Sequence, residues 1–294
     1  MLIDVRSPCE FAKGHIPGAK NLPLFSDHER AEVGTLYKHL GQQKAFDLGL
    51  QFVGPKLANF VIEGRAYNDQ IELYCSRGGM RSHSMQWLFK SAGMECSVKK
   101  GGYKTFRRWV LETLAAPRTF KVLTGLTGSG KTQRLHELEK MGEAMLDLEG
   151  AANHRGSSFG MLGLPGQPTN EHFENLLATR LSKLSGPIWI EDESKMIGTC
   201  KVPDPLFAAM QKSQKIVIEA PKEKRIAQLI ALYAHYPKKD LIEAVTRLQK
   251  KLGRERTKEV ILAINQDDFF NAVQFILEYY DKAYDRTFSR QRRN

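Results

Sequence analysis

The segment Phe120-Lys121-Val122-Leu123-Thr124-Gly125-Leu126-Thr127-Gly128-Ser129-Gly130-Lys131-Thr132 decides how the chain is read. A short strand-like run enters GxxxxGK[ST], and a helical pattern follows over 133–141. The glycines permit the tight turn and close backbone approach, the N–H groups cradle phosphate oxygens, and the lysine reaches the terminal phosphates. Gly125, Gly128, Ser129, Gly130, Lys131 and Thr132 are therefore the candidate phosphate-binding residues, with Thr132 placed to ligate Mg²⁺. Further strands are expected at 144–148, 187–190 and 215–219, separated by helices, which implies a parallel α/β sheet of the P-loop mononucleotide type. Asp147, Glu191 and Asp192 stand where such strands end and are candidate metal or supporting carboxylates, with Asp192 the first choice beside Mg²⁺. Helix caps or solvated strand ends would explain the same acids. His154, Arg155 and Ser157, in a glycine-bearing loop over 154–160, suit a loop closing over an anion, or a plain surface loop.

Upstream, Leu73-Tyr74-Cys75-Ser76-Arg77-Gly78-Gly79-Met80-Arg81-Ser82 has the same strand, loop and helix grammar. Here a cysteine sits where converging N–H groups and a helix N-terminus favour an anion. Arg77 and Arg81 add charge at the rim, so Cys75 is expected to be a low-pKa nucleophile. The competing reading is a small buried hydrophobe. Strand-like 2–5, a short helix over 9–13, a turn at 14–19, a helical excursion over 27–68, a strand at 96–98 and a helix from 103 complete an alternating pattern. His15 in the turn reads as a structural hydrogen-bonder before a base, and Cys96 as a buried structural thiol before a resolving partner for Cys75.

A length of 294 residues suggests two domains, and Pro117 marks a break, giving 1–116 and 117–294. Hydrophobic content of 41% with 26% charged residues is that of a soluble protein, and no apolar run approaches the ~18 residues of a membrane span. Four scattered cysteines argue against a disulfide framework or zinc site, and the strand-like opening leaves no room for a signal peptide, so a cytoplasmic protein is expected. The formal charge of +11 points to a polyanionic partner. From Pro221 the chain turns helical and basic, with apolar positions at helical spacing; this is the candidate RNA surface, aided by Tyr233, Tyr236, Tyr279 and Tyr280 unless those rings pack in a core.

In order and spacing, Asp4-Val5-Arg6, Glu10-Phe11, Gly14-His15-Ile16-Pro17-Gly18-Ala19, the 75–81 loop and Gly101-Gly102-Tyr103 resemble a rhodanese domain. That resemblance implies a loop cysteine carrying sulfur or selenium. Joined to the phosphate loop, and with Asp147-Leu148-Glu149-Gly150, the 154–160 loop and the 189–198 segment, the chain is similar to the bacterial tRNA 2-selenouridine synthases over nearly its whole length. The resemblance implies a rhodanese-like parallel-sheet domain followed by a P-loop α/β domain with C-terminal helices. It also implies an enzyme that replaces the sulfur of wobble 2-thiouridine by selenium, through S-geranyl-2-thiouridine. Selenophosphate and geranyl diphosphate would be co-substrates, and the tRNA anticodon loop and a selenophosphate-supplying enzyme the partners. Cys75, Arg77 and Arg81 would act on selenium and Gly125 to Thr132 on the diphosphate. The residues alone also allow an NTP-dependent tRNA sulfurtransferase or a non-catalytic RNA-binding protein.

Overall fold

Short apolar runs, too brief to be buried helices, form two parallel four-stranded sheets. The computed structural model describes residues 1–67 and 70–291, with side chains as far as Lys282. The chain divides into two units, Met1–Thr113 with Glu174–Thr179, and Leu114–Phe173 with the chain from Arg180 onward.

In chain order the first unit contains β1 (Leu2–Asp4), α1 (Pro8–Lys13), β2 (Lys20–Asn21), α2 (Asp27–Val53), α3 (Leu57–Arg65), β3 (Ile71–Tyr74), α4 (Met80–Ser91), β4 (Cys96–Val98) and most of α5 (Gly102–Ala115). Sheet order is β2-β1-β3-β4, with Ile3 opposite Leu73 and Ile71 opposite Cys96. Ile3, Val5, Leu73, Met85 and Phe89 fill the core. Capping boxes at Ser7/Glu10 and Ser26/Glu29 start α1 and α2, each satisfying otherwise orphaned helix N–H groups. The helical excursion is present as α2 and α3, with a kink at Gly41 (φ 85°); its expected end, Asn68, lies outside the described residues. His15 stacks on Phe11 at 3.7 Å and its Nδ1 lies 3.0 Å from the Phe11 carbonyl, which fits the structural reading. Cys96 is buried, with its thiol directed at the Gln86 carbonyl.

Asp4-Val5-Arg6 has a purpose the bare motif does not reveal. Both charged residues are buried, with an Nη2–Oδ2 distance of 2.6 Å. The guanidinium also donates to the Gly14 carbonyl at 2.7 Å and lies 3.8 Å from the centroid of the Tyr103 ring. One arginine thus ties the end of β1 to the 14–19 turn and to α5.

The second unit begins with β5 (Phe120–Thr124), α6 (Lys131–Lys140), β6 (Met145–Leu146), α7 (Leu148–Ala152), the two ends of α8 (Asn170–Leu181), whose middle belongs to the first unit, and β7 (Ile188–Glu191). A two-residue hairpin, β8 (Met196–Ile197) with β9 (Cys200–Lys201), precedes α9 (Asp204–Lys212) and β10 (Gln214–Val217). The helices α10 (Lys222–Tyr233), α11 (Lys238–Arg247), α12 (Gln249–Leu252), α13 (Arg254–Asn265) and α14 (Phe269–Gln291) follow. The sheet order β10-β5-β7-β6 is parallel and places the four expected strands together. The hairpin and the edge strand β2 were not expected, since two residues carry no periodicity.

Leu241, Val245, Leu248, Val260 and Ile264 from the C-terminal helices form a core of their own with Phe159 and Leu162. Tyr233, Tyr236 and Tyr280 pack against this core, and Tyr279 meets Tyr280 edge-on at 5.3 Å. The first three are therefore packing residues, not a free stacking surface. Several basic residues of this region face acids: Lys222 and Arg256 pair with Glu278, Lys238 with Asp267 and Arg247 with Glu243. Among the described residues, no helix is long and apolar enough to cross a membrane.

Removing one partner of a buried pair leaves an uncompensated charge. Asp4→Ala should therefore destabilise the chain by ~3–5 kcal/mol in denaturant unfolding. A loss below ~1 kcal/mol would mean that the Arg6 charge is solvated by other means.

Candidate functional site

Cys75 follows β3 at the carboxyl end of the first sheet and is 4% exposed. The Gly79 N–H donates to its sulfur at 3.2 Å, and the Ser82 hydroxyl lies 3.4 Å away. The loop is held from behind: Tyr103 and Lys104 N–H groups donate to the carbonyls of Cys75 and Ser76, both at 2.9 Å. Gly102 (φ +55°) is pressed so close that a Cβ there would stand 2.3 Å from the Cys75 carbonyl oxygen. Only glycine fits that position, which explains the Gly101-Gly102-Tyr103 signature.

Burial pushes the Cys75 thiol up, but the Ser82 hydroxyl and the N–H groups of Arg77, Ser82 and Gly79 outweigh it and hold the pKa below the ordinary thiol value. The leading support comes from these hydrogen-bond donors. Arg77 is exposed at the rim. Arg81 is engaged by Glu10, at 2.6 Å, and by the Ser76 hydroxyl, at 2.8 Å. Burial alone would raise Glu10, but the Arg81 hydrogen bond and charge bring its pKa down to about 2. Glu10 thus orders the loop, a role its place in α1 did not disclose.

The phosphate loop occupies the corresponding place after β5, an inner strand of the second sheet. Gly128 and Gly130 have positive φ, and the Lys131 ammonium donates to the Gly125 carbonyl at 3.0 Å. Gly125 leaves no room for a Cβ, which would lie 2.5 Å from the Ile218 carbonyl oxygen and 2.7 Å from Ser129 Oγ. Beneath the loop lies Arg225 of α10, 3% exposed. Its Nε donates to the Thr127 carbonyl at 2.8 Å, and its guanidinium is paired with Asp281 of α14 at 2.5 Å.

Three carboxylates face this loop: Glu149 of α7, Glu191 at the end of β7, and Glu193, each offering an oxygen within 4.8 Å of the others. Burial raises the pKa of all three, and repulsion by Glu191 raises Glu149 and Glu193 further. For Glu191 the Thr132 hydroxyl and the Lys131 charge pull the other way, without a hydrogen bond of good geometry. Among the described residues neither of its carboxylate oxygens has such a partner, although the residue is 1% exposed.

Asp192, the first choice by sequence, is not in this group. Its carboxylate is taken by Lys215 of β10 at 3.0 Å, so the acid on the Thr132 side is Glu191. Asp147 caps α7, accepting from the Gly150 N–H at 2.7 Å, while also lining the cavity described below. Glu149 and Glu193 are not among the residues that sequence reasoning singles out. The signal for them was the acid spacing in Asp-Leu-Glu-Gly and Glu-Asp-Glu.

A cavity of about 820 Å³ extends from the phosphate loop and these acids. His154, Arg155 and Ser157 border it, as their loop suggested, but their polar atoms also hold the loop itself. His154 Nδ1 accepts from the Gly156 N–H at 3.1 Å, Arg155 donates to the Leu162 carbonyl at 2.8 Å, and Ser157 Oγ accepts from the Phe159 N–H at 3.2 Å. Burial lowers the His154 pKa. Apart from Gln133, Asn153 and Gln228, the rest of the lining is largely apolar, with Leu229, Leu232 and Tyr233 of α10, Ile264 of α13, and Ala272, Ile276 and Leu277 of α14. One end of the cavity therefore suits an anion and the other a hydrocarbon.

Comparison with known proteins places a known domain family on each part of the chain. Residues 1–108 match the model of the rhodanese-like domain, and residues 118–294 match that of the tRNA 2-selenouridine synthase AAA domain. A tRNA 2-selenouridine synthase of Marinobacter nauticus is 38% identical over 97% of this chain and 87% of its own length. One from Aeromonas salmonicida is 41% identical over 88% and 76% respectively, and one from Pseudomonas fluorescens 37% identical over 96% and 87%. The chain belongs to the tRNA 2-selenouridine synthase family.

Proposed function

We propose that the cavity of the second unit transfers a geranyl group from geranyl diphosphate to the sulfur of wobble 2-thiouridine in tRNA. Cys75 and its loop then handle the selenium, supplied as selenophosphate, that replaces the alkylated sulfur. The observation that carries this reading is the shared cavity, in which a phosphate loop opens onto an apolar wall instead of a polar base pocket.

The thiocarbonyl sulfur attacks the first carbon of the prenyl chain as the carbon–oxygen bond to diphosphate breaks. Lys131 and the N–H groups of 125–132 receive the charge that develops on the departing diphosphate. Glu191, with Glu149, Glu193 and Thr132, fits a divalent cation, because its buried oxygens lack partners. Such an ion, Mg²⁺ by the hardness of these oxygen ligands, would neutralise diphosphate charge when bound. Alkylation turns the sulfur into a thiol leaving group, so that the selenium of selenophosphate can add at the ring carbon and expel geranylthiol; water then breaks the phosphorus–selenium bond and releases phosphate. Arg77 and the backbone N–H groups of the 75–81 loop would hold the phosphate of selenophosphate. Arg81 would do so only by sharing Glu10.

The two activities should separate by mutation. Lys131→Ala should lower geranylation by ~10²–10³-fold. Cys75→Ala should accumulate S-geranyl-2-thiouridine and form no selenouridine. Nucleoside mass spectrometry of a thiolated anticodon stem-loop incubated with both donors reads both outcomes, and undiminished selenouridine from Cys75→Ala ends the assignment.

The thiolate fraction of Cys75 rises as pH passes its pKa, which hydrogen bonds hold low. Its alkylation by iodoacetamide, followed by peptide mass spectrometry, should therefore reach half its maximal rate at a lower pH than a free thiol does. Ser82→Ala removes a supporting donor and should move that midpoint upward. A midpoint that Ser82→Ala leaves in place would contradict the account of the thiolate.

A further inference from the structure

The apolar side of the cavity has a direction, set by α14. At one point this helix is tied to the phosphate loop, because Asp281 pairs with Arg225, which itself holds the Thr127 carbonyl. Tyr280, next to it, is hydrogen-bonded to Ser158, beside the 154–157 rim. Moving back along α14, the residues that line the cavity are Leu277 and Ile276, then Val273 and Ala272, then Phe269 at the helix start. A helix advances about 1.5 Å per residue, so Ala272 stands roughly 13 Å along the axis from the Asp281 anchor. Ala272 is 3% exposed and the smallest side chain on this stretch of the wall; Phe269 beyond it is bulky and only half-buried.

We propose that α14 is a ruler for the prenyl chain: the diphosphate is held at the Asp281 end, the chain lies along Leu277 and Ile276, and Ala272 with Phe269 sets the length accepted. This rests on the geranyl diphosphate reading above and adds to it which residues select the donor. A hydrocarbon has no polar handle by which length could be sensed, so selection falls to where the walled space ends. Two isoprene units fit in the span between anchor and stop. A side chain larger than alanine at 272 would occupy the place of the second unit, and loss of the Phe269 ring would open room for a third.

The test uses the full chain and a thiolated anticodon stem-loop, offered equal concentrations of dimethylallyl, geranyl and farnesyl diphosphates, with the S-alkylated nucleosides resolved by mass. The wild type should give mainly the geranyl product. Ala272→Phe should shift the geranyl-to-dimethylallyl product ratio toward the shorter chain by about tenfold or more, the scale at which one hydrophobic pocket discriminates. Phe269→Ala should shift the ratio toward farnesyl. The second variant gains a product, which a misfolded protein cannot do, so it decides the matter even if Ala272→Phe is inactive. Product ratios unmoved by Phe269→Ala, while the wild type transfers geranyl, overturn the ruler and leave the donor reading standing. A wild type that transfers none of the three chains overturns both.

Discussion

Negative charge inside a protein has to be met by donors that are already in place, and in this chain the backbone supplies most of them. The end of a parallel strand followed by a helix leaves several N–H groups without intrachain partners, all pointing at one spot. After β3 that spot holds a sulfur; after β5 it is open to a phosphate. Both loops depend on a glycine that cannot be replaced for lack of space, Gly102 against the Cys75 carbonyl and Gly125 against the Ile218 carbonyl. Side-chain cations are secondary: Arg81 is balanced by Glu10, and Lys131 rests on the Gly125 carbonyl.

The second site carries an apparent contradiction, since three carboxylates face the loop that is to bind an anion. Left ionised and dehydrated, they would repel one another and any anion at the loop. The raised pKa of each is the physical expression of that conflict. Protons or a cation can resolve it, and either makes the state of the acids depend on what occupies the cavity. Asp192, one residue from the cluster on each side, escapes the conflict because Lys215 neutralises it. Adjacent acids in one tripeptide thus have opposite fates, decided by what each side chain meets in the fold.

That contrast also measures what could be read from residues alone. The strand, loop and helix units around Cys75 and Gly125 were legible because glycine, cysteine and lysine at those offsets have few other uses. The four strands of the second sheet were legible as apolar runs between helices. Which acid faces Thr132 was not, because Glu191 and Asp192 differ only in the direction of their side chains. Nor was the source of thiolate support, since hydrogen bonds from Gly79 and Ser82 leave no mark in composition while Arg77 and Arg81 do. The tyrosines of the basic helices show the same limit: amphipathic spacing places Tyr233 and Tyr280 on an apolar face, but not what that face encloses. It encloses the apolar side of the cavity, built by helices whose basic residues suggested an RNA-facing surface.

Arg225 has a bearing on how the molecule is made. It lies 98 residues after Thr127, whose carbonyl it holds, and 56 before Asp281, which neutralises it. As the chain leaves the ribosome, the strand and turn of the second unit appear long before the guanidinium that braces them, and that guanidinium appears before its counter-ion. A buried arginine without its acid is unstable, so the turn can reach its working shape only after α14 has docked. The brace under the phosphate loop is thus completed by a helix made well after the strand and turn that it supports.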